Sequence, residues 1–156
     1  MSRRGQSVLY SVLLMPILIL VFALAVDIGS LQMQKLRLRY AVDLATVTAA
    51  TDVDTAFYSR TGRLELDVAT ATATARAYLL RNLRGLADTP NPAAIAAAAD
   101  ITVVNRVPAV DPYTGMRLDR PAVCARIRVP HRFDLLGWIG LRSVDLTVAA
   151  NAEIRT

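Results

Sequence analysis

Three hydropathy patterns follow one another along the chain. From Gly5 to Val26 there are 22 consecutive residues without a charge, most of them apolar. At about 1.5 Å per residue this run makes a helix of roughly 33 Å, close to the hydrocarbon thickness of a bilayer. A helix apolar on every face is out of place on the surface of a soluble domain, so the pattern predicts a transmembrane helix over 6–28. A removable signal peptide is the weaker reading. The apolar run exceeds the usual ~7–15 residues, and "AVDIGSL" continues into an amphipathic stretch without a small-x-small cleavage site. Beyond Asp27 the pattern becomes one-sided. Met33, Leu36, Tyr40, Leu44 and Val47 step by three and four residues, which predicts a continuing amphipathic helix over 29–58 with that stripe packed on a domain. A strand-like alternation through Leu36, Leu38, Tyr40, Val42 and Leu44 competes, and the alanine-rich continuation decides for helix.

"SRTGR" at 59–63 is a turn. Leu64, Val68, Ala71, Ala75, Leu79, Leu83 and Leu86 then mark a second amphipathic helix, with Arg76, Arg81 and Arg84 toward its C-terminal half, where the dipole favours cations. Gly85 is a plausible stop, Pro90 and Pro92 mark a loop, and "AAIAAAAD" adds a short helical turn. From Asp100 the period changes to two. "ITVVNRV" is β-branched, and "PAVDPYTG" is a turn-rich connection. "AVCARIRV" alternates, with Val123, Ala125, Ile127 and Val129 on one face and Cys124, Arg126 and Arg128 on the other, facing solvent or a partner. "RFDLLGWIGLRS" reads as a loop, and "VDLTVAANAEI" as a last strand with Val144, Leu146 and Val148 on one face. The fold expected is α+β: a long N-terminal transmembrane and amphipathic helix, a second helix, and a small C-terminal antiparallel β-sheet.

Composition changes this picture little. Hydrophobic residues make up 54%, mean hydropathy is +0.37, and the net charge is +5 with a pI near 10. The basic run Lys35–Arg39 is compatible with lipid headgroups or nucleic acid. A solvated helix face is the simpler reading, and no nucleic-acid partner is expected. Arg3 and Arg4 flank the apolar run tightly on one side, while Lys35, Arg37 and Arg39 lie further out on the other. The positive-inside rule then favours a cytoplasmic N-terminus and an exported domain over 59–156.

Candidate chemistry is sparse. One cysteine, Cys124, and one histidine, His131, exclude an intrachain disulfide and a Cys/His metal cluster. Cys124 reads as a part-exposed structural thiol, and His131, in "VPHRF", as a surface residue. Asp52 and Asp54 are too few for a calcium loop, and no glycine-rich phosphate loop is present. No catalytic, cofactor-binding or metal-binding residues are assigned. Pro16, in mid-span, is either a fixed kink or a point where the helix bends against other subunits. Asp27 is either an interfacial charge ending the span or a contact to a basic partner. Two classes of function fit: a membrane-held structural subunit or assembly factor, and a membrane-tethered binding module whose basic domain holds an acidic ligand.

The first third of the chain resembles the N-terminal region of the TadE/TadG-like Flp pilus-assembly proteins. The landmarks are Arg3-Arg4-Gly5, Pro16 in the apolar run, Val26-Asp27-Ile28-Gly29, "KLRLRYAVD" and "LATVTAA". The resemblance implies a pilin-like minor component or assembly factor of a tight-adherence pilus, with the bilayer and other pilus-assembly proteins as partners. In some members a prepilin peptidase cuts after a glycine, which here implies a cut between Gly5 and Gln6, the leader being 1–5. Processed members carry a glutamate five residues after the cut, and Tyr10 stands there. The chain is therefore either uncut and kept as an anchor, or cut and incorporated by packing alone. The "VD-G" step fits TadG-like members, although the large C-terminal domain often found in them is missing here.

Overall fold

A computed structural model describes residues 3–87 and 89–154. Met1 and Ser2, the start of the segment expected at 1–5, lie outside the described residues. The fold is α+β, with a long N-terminal helix, further helices and a small antiparallel sheet. The chain forms two compact units. One combines the first helix up to Met33 with His131–Val144, and the other combines Gln34–Pro130 with the chain from Asp145 onward.

Helix α1 runs Arg3–Ala49, 47 residues, with Pro16 inside it. It ends before the sequence pattern predicts. Val53 forms an isolated antiparallel bridge with Leu66. Asp54 then caps a separate short helix, α2 (Thr55–Thr61), its side chain accepting from the Phe57 N–H at 2.7 Å. Aspartate competes with the backbone inside a helix but satisfies orphan N–H groups at its start, so the aspartates after Ala49 break one helix and begin another. Gly62 closes α2 at φ 69°, the left-handed conformation that glycine adopts without penalty.

The buried face of α1 is not the expected stripe. Leu38, Ala41, Val42, Ala45, Thr46 and Ala49 are buried, while Met33, Leu36, Tyr40, Leu44 and Val47 are exposed, Tyr40 at 70%. The reason is close approach. Ala49 and Ala50 join Ala71 and Ala75 of α3 (Val68–Arg84) in one core cluster with Leu66, Val123 and Ile154. The Asn82 side-chain amide of α3 donates to the Ala41 carbonyl at 3.2 Å. Small residues let the two backbones come this near, and a seam of Leu, Tyr and Met would hold them apart.

In α3 the expected face is buried at Ala71, Ala75, Leu79 and Leu83, whereas Val68, in the first turn, is exposed. Asp67 caps the helix through the N–H groups of Ala69 and Thr70. Within the alternating Ala–Thr run, which is helical, the Thr72 hydroxyl donates to the Val68 carbonyl one turn back. Helix α4 (Pro92–Ala97) packs on α3.

Strand β1 (Asp100–Val104) pairs antiparallel with β4 (Ala122–Arg132), in a register from Asp100 opposite Arg126 to Val104 opposite Ala122. Strand β5 (Ser143–Glu153) lies on the other side of β4. Between β1 and β4 the turn-rich segment folds into a ribbon of β2 (Ala109–Val110) and β3 (Arg117–Leu118). That ribbon corrects the reading of Cys124. Leu118 from β3 clusters with Cys124 and Ala122, and the thiol side chain is fully buried. Arg126, on the same face, is engaged within the chain: it lies 2.7 Å from Asp100 and 4.9 Å from the Tyr113 ring centroid. Arg128 is exposed. On β5, Leu146, Val148 and Ala150 are buried and Val144 is exposed.

One side chain acts as a strand edge. Asn105 accepts from the Leu66 N–H and donates to the Leu66 carbonyl, both at 2.9 Å. Its amide thus pairs with Leu66 as a neighbouring peptide group would in a sheet.

Candidate functional site

The first unit carries the features of interest. Along α1 the large side chains from Val12 to Phe22, with Leu24 and Val26, are exposed. An 18-residue window of this helix has a mean hydropathy of 2.7, with only 6% of it buried within the chain. By length and composition this helix could cross a bilayer, where exposed apolar surface is favourable. One N-terminal apolar helix of this kind fits a single-pass membrane anchor.

Tyr10 is exposed in this stretch, at 63%. Pro16 lies inside the continuous helix. Gly5 and Gln6 fall within the first turns of α1, and the Gln6 side chain lies outside the description. At Gly29 an added Cβ would meet nothing within 4 Å, so close packing within this chain does not require the glycine.

Asp27 is different. It ends the uncharged run, yet it is 0% exposed. Oδ1 accepts from the backbone N–H groups of Asp134 (3.3 Å) and Leu135 (3.2 Å), and Oδ2 from those of Leu135 (3.1 Å) and Leu136 (2.6 Å). These N–H groups stand at the start of a 3₁₀ turn, Leu136–Ile139. The first N–H groups of a helical turn have no partner within it, and a carboxylate supplies charge-assisted acceptors for them. The burial of Asp27 is therefore compensated inside its own unit.

The loop that holds Asp27 is closed at its base and tip. The Phe133 N–H donates to the Arg142 carbonyl at 3.2 Å. Leu141 N–H reaches back to the Leu136 carbonyl at 3.3 Å, and Gly140 takes φ 97° to make that return. His131 is buried and stands edge-on to the Phe133 ring, with centroids 5.4 Å apart. The surface position expected for it is thus corrected, because Phe133 gives the imidazole an aromatic face to pack on. At the loop's tip Trp138 is 93% exposed, with Leu135 and Leu141 also exposed.

The sequence alone did not reveal this pairing. Asp27 and its donors are separated by 107 to 109 residues. The available clue was "FDLLGWIG", a loop too apolar for an ordinary solvent connection.

A second polar cluster lies in the other unit. Asp111 is buried and holds the β2–β3 ribbon: its carboxylate accepts from the Tyr113 N–H, the Thr114 hydroxyl and the Asn151 amide. Burial pushes its carboxyl pKa up, but the hydrogen bonds from Thr114, Asn151 and the turn N–H groups outweigh this and leave it below the ordinary value. Burial, followed by the nearby Asp111 charge, pushes the Cys124 thiol up to about 12. The thiol is therefore not a nucleophile in this fold. A surface cleft of about 660 Å³ in the same unit is lined by residues including Met116, Arg117, Asp119, Asn151 and Glu153. Its charges are mixed, with Arg117 2.9 Å from Asp119.

No curated protein and no solved structure matched the chain. Residues 5–52 match the model of the family described as putative Flp pilus-assembly TadE/G-like, which supports a role in pilus assembly for this chain.

Proposed function

We propose that the chain is a membrane-anchored, pilin-like component of a tight-adherence pilus-assembly system, a minor subunit or an assembly factor. Residues 6–28 span the bilayer, the N-terminus is cytoplasmic, and the folded domain is outside. The observation that carries this is the change of environment along α1. Its large apolar side chains from Val12 to Val26 are exposed, and it is then buried on one alanine-rich face from Leu38 to Ala49. Such a helix serves lipid at one end and a folded domain at the other. Arg3 and Arg4 beside the span support the orientation. Pro16 and Gly29 are the helix positions proposed for assembly contacts, Asp27 being engaged by its own chain, and other pilus components are the partners.

N-terminal sequencing or intact mass of the membrane fraction tests the subunit form of this proposal. Gln6 as the first residue marks processing by a prepilin peptidase and entry into the filament. A chain that keeps Gly5 is an anchored assembly factor. Loss of the chain from the membrane fraction overturns both forms.

The binding-module alternative requires a basic pocket. The cleft lined by Arg117 and Asp119 pairs its charges internally and gives that alternative little support.

A further inference from the structure

We infer that the Phe133–Arg142 loop is a second membrane contact, which seats Trp138 in the headgroup layer of the bilayer that α1 crosses. The inference rests on the membrane-anchor reading and goes beyond it.

Asp27 is the first charge after the apolar run, so in a spanning helix it marks the edge of the hydrocarbon. Three consecutive backbone N–H groups, those of Asp134, Leu135 and Leu136, are hydrogen-bonded to that carboxylate. The loop is therefore fixed beside α1 at the same depth as the end of the span. There its tip presents Trp138, almost fully exposed, together with exposed Leu135 and Leu141. Val26 and Ile28, the neighbours of Asp27 on the helix, are also exposed.

Tryptophan has an apolar body and one polar N–H, a combination that favours the interface between hydrocarbon and water. Arg132 and Arg142, at the two ends of the loop, are exposed and suit anionic headgroups. Asp27 thus has a positioning role: it holds the loop, and the loop holds the tryptophan. Its carboxylate, enclosed by its own chain, is not offered to a basic partner.

Trp138 is the only tryptophan in the sequence, so its fluorescence reports this one site. The full chain would be reconstituted into vesicles containing an anionic phospholipid. Its emission would be compared in the presence of aqueous iodide and of lipids spin-labelled either near the headgroup or near the acyl-chain end. The expected result is blue-shifted emission, quenching by the shallow label several-fold greater than by the deep one, and iodide quenching several-fold weaker than for free tryptophan. Asp27→Ala is expected to shift the balance toward iodide while leaving the chain resistant to carbonate extraction. Strong iodide quenching with the wild-type chain still carbonate-resistant would overturn the inference, leave the anchor intact, and point to a protein partner for Trp138. Release of the wild-type chain by carbonate would overturn the anchor reading and the inference with it.

Discussion

The backbone N–H of Leu136 lies 2.6 Å from Oδ2 of Asp27, a residue 109 positions earlier. This bond and its neighbours join a helix at the front of the sequence to a loop near its end. Asp27→Ala removes every acceptor and leaves three N–H groups unpaired. The expected cost is on the order of 1.5–3 kcal/mol of local stability, and Asp27→Asn should lose less because one side-chain oxygen remains. Hydrogen exchange on the reconstituted chain should show faster exchange at residues 134–136 in the alanine variant and little change along the rest of α1. Unchanged exchange at those three amides would mean that the loop holds without the carboxylate.

The buried face of α3 and the exposed stripe of α1 make opposite predictions. Leu79 of α3 is buried at the core, and Leu79→Ala should cost about 2–5 kcal/mol. Tyr40 projects into solvent, and Tyr40→Ala should stay within about 0.5 kcal/mol. Denaturant unfolding of the detergent-solubilised chain, followed by circular dichroism, would compare them. A large loss from Tyr40→Ala would restore the stripe read from the sequence.

Asp111 makes stability depend on pH in a defined direction. Its folded pKa is lowered, so its contribution is present above the ordinary carboxylate value of about 3.9 and is lost as pH falls through the folded value. Asp111→Asn should flatten part of the decline in stability below about pH 4. Asp67, also lowered, chiefly by the Thr70 hydroxyl and then by the Thr70 N–H, is unaffected by that substitution. Thermal melts of both chains across that acid range would show whether the slopes differ.

Cys124 should resist alkylation in the folded chain. The thiol is buried and pushed up to about 12, so at about pH 8 the thiolate fraction is negligible and access is closed. Mass spectrometry after maleimide treatment should find the folded chain unmodified and the denatured chain labelled once. Rapid labelling without denaturant would place the thiol in a mobile part of the fold.

Much of the architecture was legible because it depends on local periodicity. The uncharged run, the Ala71–Leu83 face and the alternation in β4 each follow from residues close together in sequence. What misled was relative size. Leu36, Tyr40 and Leu44 form the more hydrophobic stripe, but Ala41, Ala45 and Ala49 form the seam, because the Asn82–Ala41 hydrogen bond requires a near backbone. The burial of Cys124 depends on Leu118, whose ribbon no period announces. The Asp27 site was half visible: the aspartate stood out, while its partners are backbone groups, and every residue but proline has an N–H to offer.

The Asn105 amide carries a consequence for the lifetime of the protein. Asparagine is a thermolabile residue, and its slow hydrolysis to aspartate would replace the Nδ2 donor with an oxygen facing the Leu66 carbonyl, acceptor against acceptor. One ageing event at this position would thus open the edge on which Leu66, a core residue, is registered. The lifetime of this pairing depends on the chemical survival of that single amide.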